Sequence, residues 1–328
     1  MPNHPSTDSR STHGQPPLTA FVFEPSPLLT VTAEAGALDP HSPDTAEVHL
    51  HPGGQGFWIA RMLRALGLDT RLCAPLGGET GKVLKTLIDS EGLRLCEGTA
   101  TSGNGAYMHD RRGGERSPVA HMEPAELSRH EVDDLFSAAL AAGMAADICV
   151  LGGPAGPHVV PSDLYRRLAA DLRATGKTVV ADLSGEPLSA ALAGGVSVIK
   201  VSHEDLIEDG RAADDDASTL IDAMREMARE GADRVVLSRG GESTLALVEG
   251  RVLEVRGPQL ERVDHRGAGD SMTAGISAAL AAGEDMPAAL RLGAGAGTSN
   301  ITRRGLATGQ RALVEQLAAR MVVQSFEG

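Results

Sequence analysis

Lysine is scarce in this chain, occurring only at Lys82, Lys85, Lys177 and Lys200, and Asp and Glu outnumber Lys and Arg by 44 to 30. A net charge of −14 argues against a nucleic-acid groove or an anionic membrane surface as the main partner. Any phosphate site must therefore be local, built from backbone N–H groups and a few cations. Aromatic residues make up only 2% of the chain, so the 41% hydrophobic content has to pack mostly as Ala, Val, Leu and Ile. The three cysteines, Cys73, Cys96 and Cys149, form no CxxC pair. That pattern supports neither a disulfide framework nor a zinc knuckle and suits a reducing interior. No apolar run is long enough to cross a bilayer. Residues 1–18 are polar, without the apolar stretch of a signal peptide, and read as a disordered lead-in. The expectation is a soluble, cytoplasmic protein with one large domain over residues 19–328.

What is present changes character along the chain. Residues 19–123 read as short strands, turns and one good helix, which follows Pro52-Gly53-Gly54-Gln55-Gly56 and ends at Gly67. Residues 98–121 are rich in Gly and Arg and suit an exposed hairpin or flap. From Ser128 the rhythm becomes helix, short apolar strand, helix. Ser128 and Glu131 form a capping box ahead of Val132, Leu135, Phe136 and Ala139, spaced as one helical face. Short apolar strands are predicted at 147–151, 178–182, 196–201 and 234–238, separated by helices. This alternation predicts a mainly parallel sheet covered on both faces.

The most informative stretch is Val263-Asp264-His265-Arg266-Gly267-Ala268-Gly269-Asp270, which runs into a helix carrying Met272, Ile276, Ala279 and Leu280 on one face. Small residues at a helix start leave its first N–H groups uncovered, so an anion can approach closely. In phosphoryl transfer such a tip stabilises charge on the moving phosphoryl oxygens. Asp270, in the first turn, is placed to accept the proton of an attacking hydroxyl. The same pattern also describes a tight strand-to-helix turn with an acidic residue favoured by the helix dipole.

The run Asp264-x-x-Gly-Ala-Gly-Asp270 resembles the C-terminal signature of the phosphofructokinase-B/ribokinase family of ATP-dependent carbohydrate kinases. The resemblance continues in order along the chain. Gly53-Gly54-Gln55-Gly56-x-x-Ile59-Ala60-Arg61 resembles the early glycine motif of that family. Asp182-Leu183-Ser184-Gly185 resembles a strand end, Lys200-Val201-Ser202-x-x-Asp205-Leu206 a phosphate-side motif, and Ser238-Arg239-Gly240-Gly241 the turn at the nucleotide. The branch most similar is that of 1-phosphofructokinase and tagatose-6-phosphate kinase. The resemblance implies a ribokinase-like, three-layer α/β/α Rossmann-like core. It also implies a small β-sheet lid, its strands drawn from about 19–51 and 98–121 and shared in a homodimer. It implies Asp270 as base, with Gly267, Ala268 and Gly269 as the anion hole. Lys200, Ser202, Ser238, Gly240, Gly241, Asp264 and Asn300 would lie along ATP, with Mg2+ arriving on the nucleotide and Asp205 reaching it through water. A sugar-like small molecule would lie against Gly53, Gly54, Gln55, Trp58 and Arg111.

Departures from the family pattern gather on the acceptor side. Its NPxxD motif becomes Glu24-Pro25-Ser26-Pro27-Leu28, and Leu28 cannot accept a hydroxyl hydrogen bond. Gln55 stands in place of lysine and Trp58 in place of asparagine. No lid arginine precedes the central strand near 102–108, and Gly153-Pro154-Ala155-Gly156-Pro157 has lost a serine. Three readings stay open at this level: a kinase of an unusual sugar-like alcohol, 1-phosphofructokinase or a close relative with other phosphate-binding residues, and a non-catalytic ligand-binding relative. Arg111, Arg112 and Arg116 are either replacement charge or a solvated loop. Gly240-Gly241 is also an ordinary hairpin turn, and Ser202 with Asp205 is also a capping box.

Overall fold

A computed structural model describes residues 16–36, 45–156, 158–258, 260, 266–302 and 307–327. In chain order it contains β1 (Thr19–Phe23), β2 (Leu28–Glu34), β3 (Glu47–Gly53), α1 (Gln55–Ala65), β4 (Asp69–Leu76), α2 (Gly78–Ser90), β5 (Arg94–Thr99), β6 (Ala106–Asp110) and β7 (Ser117–Met122). There follow α3 (Arg129–Met144), β8 (Ile148–Gly152), α4 (Asp163–Ala174), β9 (Thr178–Asp182), α5 (Gly185–Gly194), β10 (Val198–Ser202), α6 (His203–Glu208), α7 (Ala217–Glu230) and β11 (Arg234–Ser238). The chain closes with β12 (Thr244–Val248), β13 (Arg251–Arg256), α8 (Ala268–Ala281), α9 (Met286–Ile301), α10 (Arg311–Ala318) and β14 (Val322–Ser325).

Ten strands form the large sheet in the order β14-β13-β12-β11-β10-β9-β8-β1-β4-β5. The run from β11 to β5 is parallel, and β12 to β14 add an antiparallel edge. Each parallel strand alternates its side chains between two cores. Phe21 and Phe23 of β1 join the cluster under α3, α4 and α7, while Ala20 and Val22 join the one under α1, α8 and α9. Burial on both faces explains why these strands read as continuous apolar runs. The helices α8 and α9 pack closely because glycines face each other: a Cβ on Gly275 would lie 2.7 Å from the Gly293 Cα.

The second sheet has four strands in the order β3-β2-β6-β7. The register decides what each of its faces carries. Leu50, Val31, Met108 and Ala120 stand in one row, and His51, Thr30, Tyr107 and His121 in the next. In-register residues share a face, and successive rows alternate. One face is thus apolar, and Val48, Leu50, Met108 and Met122 on it are exposed. The other face carries threonines and histidines. Thr19–Phe23 belongs to the large sheet and not to the small one. Its alternate residues fill both cores, which an edge strand of a lid could not do.

Candidate active site

Consecutive parallel strands run outwards from the β1/β8 boundary in opposite directions, β8 to β11 on one side and β4 to β5 on the other. Loops leaving the carboxyl ends of strands at such a switch point open a crevice. Glu24 follows β1, Gly153 follows β8, and Asp182 and Ser202 end β9 and β10. Glu24, Gly153, Asp182 and the predicted Ser202 therefore stand at one edge of the sheet.

Gly267 adopts a left-handed conformation, φ 72°, as the N-cap of α8. The first N–H groups of α8 have no side-chain cap among the described residues. Lys200 lies against this tip: a Cβ on Gly269 would stand 2.5 Å from the Lys200 Nζ. Glycine at 269 is thus needed for the ammonium to reach the helix start. Lys200 is 5% exposed and pairs with Asp182 at 3.3 Å. Burial works against its charge, but Asp182, Asp270 and Asp205 outweigh burial and hold the ammonium above its ordinary pKa. The second oxygen of Asp182 accepts from the Thr273 hydroxyl at 2.6 Å, so the pair is locked onto α8.

Asp270 is 8% exposed. Burial raises its pKa to about 7, with the Asp182 charge adding to the rise and Lys200 opposing it. The Gln55 side chain also hydrogen-bonds to it. Gln55 Oε1 accepts from the Gly153 N–H at 2.6 Å, which leaves its NH2 group as the donor to Asp270. One glutamine therefore spans the start of α1, the β8 loop and the carboxylate.

Glu24 is the residue that sequence reasoning missed. It is fully buried, and its Oε2 accepts from the N–H groups of Gly56 at 2.6 Å and Phe57 at 3.3 Å, while Oε1 accepts from Ser26 at 2.9 Å. Glu24 thus takes over the capping that Gly54, the N-cap of α1, cannot provide. A Cβ on Gly54 would lie 2.6 Å from the Glu24 carboxylate, so the early glycines make room for this acid. Burial raises the Glu24 pKa to about 7, with the three backbone donors pulling it back. The only signal in the sequence was an acid next to a proline at a strand end.

Other predicted residues fall as follows. Ser202 and Asp205 form a complete capping box at the start of α6. Ser202 and Ser238 stand side by side in β10 and β11, and Gly240 turns the β11–β12 hairpin at φ 55° beside His203. Asn300 spends its amide on backbone: its NH2 donates to the Arg266 carbonyl and its oxygen accepts from the Ala307 N–H at 2.7 Å. It ties the segment before the α8 tip to the chain beyond α9. Asp264 lies outside the described residues. Gly53 sits beneath Thr30 and Trp58. Trp58 and Arg111 line one cavity of about 790 Å³ between α1 and the histidine-bearing face of the small sheet. The sequence had placed Arg111 on a loop and Trp58 on a helix; only the folded lid brings them together. Among the described residues, no group of three or more His, Cys, Asp or Glu is placed to hold a metal ion. No helix among them is long and apolar enough to cross a membrane.

Comparison with known proteins places the chain in one family. A model of the pfkB family carbohydrate kinases matches residues 31–312. The 1-phosphofructokinase of Bacillus subtilis (strain 168) is 27% identical over 291 residues, covering 88% of this chain and 92% of that protein. The ATP-dependent 6-phosphofructokinase isozyme 2 of Escherichia coli (strain K12) is 29% identical over 262 residues, covering 77% and 82%. Arabidopsis thaliana ribokinase, solved with ribose and ATP, superposes with a TM-score of 0.70 at 18% identity, covering 92% of this chain and 98% of its own. At that identity the likeness speaks for the fold, a ribokinase-like core with a smaller lid sheet.

Proposed function

From the premise that this chain belongs to the pfkB family of carbohydrate kinases, we propose that it moves the γ-phosphoryl of ATP onto a hydroxyl of a sugar-like molecule, with Asp270 as the base. The observation that carries this reading is the pairing of an uncapped helix tip with a buried carboxylate and a buried lysine. The backbone amides of Gly267, Ala268 and Gly269 meet the charge that develops on the transferred phosphoryl. Lys200 supplies a fixed cation at the same point. Asp270, with a pKa near 7, is poised to take the hydroxyl proton as the oxygen attacks. Gln55 orients that carboxylate from the acceptor side.

The nucleotide lies from the α8 tip along Ser202, Ser238, Gly240 and Gly241, with Asn300 shaping the segment around it. Mg2+ neutralises the phosphate charge and is carried by the nucleotide. Asp205 fits an outer contact through water, since its Oδ2 is taken by Ser202 and its other oxygen remains available. The acceptor sits in front of Gln55, with Gly53, Gly54, Trp58 and Arg111 as its walls. The exposed apolar face of the lid, with Val48, Leu50, Met108 and Met122, is covered by a second copy of the chain. Val48→Asp with Leu50→Asp is expected to yield monomers in sedimentation, and a monomeric wild type rejects the shared lid.

Asp270→Asn is expected to fold normally and lose about 10²–10⁴-fold in turnover. The assay pairs MgATP with fructose 1-phosphate, fructose 6-phosphate, tagatose 6-phosphate and a panel of free sugars. An unchanged rate on any acceptor removes Asp270 from the mechanism. In the wild type, activity falls as pH drops through about 7, because the base must be unprotonated. A 1-phosphofructokinase reading gains support from the named Bacillus relative and is decided by the same panel.

A further inference from the structure

Strand register brings together two cysteines that the sequence keeps apart. Cys73 of β4 and Cys96 of β5 are in-register partners in a parallel pair, and both are free thiols. In-register residues of adjacent strands share a sheet face, with the strands about 4.8 Å apart. That spacing falls inside the Cα separation of roughly 4.4–6.8 Å that a disulfide spans. The thiols are already joined. The Cys73 S–H donates to the Cys96 sulfur, and the Cys96 S–H donates to the Ala138 carbonyl of α3 at 3.5 Å.

The two sulfurs are not equivalent. Cys73 is fully buried, and its thiol is held well above its ordinary pKa, first by the bond it donates to Cys96 and then by burial. Cys96 is half-buried and lies on the outermost strand of the large sheet. The bond from Cys73 lowers its pKa most, burial opposes, and the Arg71 charge adds to the fall. A reachable thiol beside a guanidinium, with its thiolate favoured, is the kind that oxidants attack. Cys73, in contact with it, is placed as the resolving thiol. Cys149 supplies the contrast. It lies on β8, two strands from Cys73 across β1, roughly 10 Å away and out of bridging range. Burial pushes its thiol up to about 12. A cysteine used only as small apolar filling has the surroundings of Cys149.

We propose that Cys73 and Cys96 form a peroxide-responsive pair that closes reversibly into one intrachain disulfide. The Cys96 thiolate attacks one oxygen of hydrogen peroxide, the O–O bond breaks, and the departing hydroxide takes up the proton Cys96 released and leaves as water. Cys96 is then a sulfenic acid. The Cys73 sulfur attacks the Cys96 sulfur, the S–O bond breaks, and hydroxide leaves as water with the Cys73 proton. The two thiols lose two electrons and two protons, and the two peroxide oxygens gain them. In reducing surroundings such a bond is transient and redox-sensing rather than a permanent staple. The cross-link fastens the outer strand to β4 at Cys73, whose carbonyl accepts from the Glu24 N–H at 2.9 Å. Redox state is thereby set at the residue whose backbone holds the acid that caps α1. The pair stands whether or not the chain is a kinase.

The full-length protein, reduced and then freed of reductant, is exposed to hydrogen peroxide in native buffer and quenched with iodoacetamide. Trypsin, which cuts between the two cysteines at Lys82, Lys85 and Arg94, then separates them for mass spectrometry. The expected product is a cross-linked pair of peptides, lighter by two hydrogens, that dithiothreitol fully reverses while Cys149 stays unoxidised. In Cys73→Ala the sulfenic acid has no resolving thiol and is captured on Cys96 by dimedone. In Cys96→Ala, Cys73 is expected to react about tenfold or more slowly than Cys96 does in Cys73→Ala. Circular dichroism checks that each variant is folded. If Cys73→Ala does not fold, dimedone present during wild-type oxidation still traps Cys96 before it is resolved. Three results overturn the proposal. One is a folded wild type that keeps both thiols free at peroxide concentrations that oxidise glutathione. Another is a Cys96 that passes to sulfinic acid, or pairs with Cys96 of a second copy, instead of bonding Cys73. The third is a cross-link that forms only in urea, where any two thiols of the chain can meet.

Discussion

On the Lys200 side of Asp270, the side chains are buried and joined to one another: Lys200 to Asp182, Asp182 to Thr273, and Thr273 back to the Gly269 carbonyl. On the Trp58 side, long side chains from α1 and a lid turn stand partly exposed around an open cavity. The first side is rigid because every member has a partner inside low-dielectric surroundings. The second takes its shape from a four-stranded sheet that touches the core through few elements. A phosphoryl group is the same in every turnover, so a fixed cradle suits it. An acceptor differs from enzyme to enzyme, and a cavity walled by surface arginines can be rebuilt without disturbing the core. Under the proposed function, this contrast accounts for a sequence that keeps the Gly-Ala-Gly-Asp run while departing from its family's pattern on the acceptor side.

The contrast can be broken most directly at Lys200. Lys200→Met leaves Asp182, 3% exposed, with an uncompensated buried charge. The expected cost is about 3–5 kcal/mol of stability, read from the urea midpoint at pH 8. A loss below about 1 kcal/mol would show that the Lys200 side is no more rigid than the cavity.

Glu24 tests whether the boundary between the two sides is electrostatic. Its pKa rises from 4.5 to about 7 in the fold, so between those values the folded state holds the proton more tightly than the unfolded chain. Stability from this group is therefore full below pH 4.5 and is lost as pH climbs to about 7. The loss is on the order of 3 kcal/mol. Glu24→Gln should flatten that part of the pH–stability curve and, by removing a negative charge near Asp270, move the acid limb of activity to lower pH. Identical slopes in variant and wild type would sink this account.

The smallest effect is expected far from both sides. Ser128→Ala removes the hydroxyl that accepts from the Glu131 N–H at the start of α3. It should cost about 1 kcal/mol and leave turnover unchanged. A change in KM there would mean that the lid hairpin and α3 are coupled.

Much of the fold was legible because it is local. The strands at Thr178–Asp182 and Arg234–Ser238 fall where the apolar runs predicted them, and both capping boxes formed. The helix tip at Gly267–Asp270 was readable for the same reason, since four adjacent small or acidic residues define it. Glu24 was not legible, because its partners Gly56 and Phe57 lie 32 and 33 residues away. Asp182 appeared only as a strand end, although its oxygen meets Thr273 across 91 residues. The Gln55 bridge to Gly153 spans 98. Such pairs depend on which strand ends become neighbours, and no spacing rule along the chain encodes that.

The order of residues alone determined the alternating strands and helices, the caps and the open helix tip, because backbone hydrogen bonding is settled within a few residues. Tertiary structure decided which carboxylates lose water, which lysine is paired, and that arginines from a lid turn and a distant helix share one cavity. Desolvation and charge proximity belong to surroundings assembled from remote segments, so they exist only once the sheet and its lid have closed.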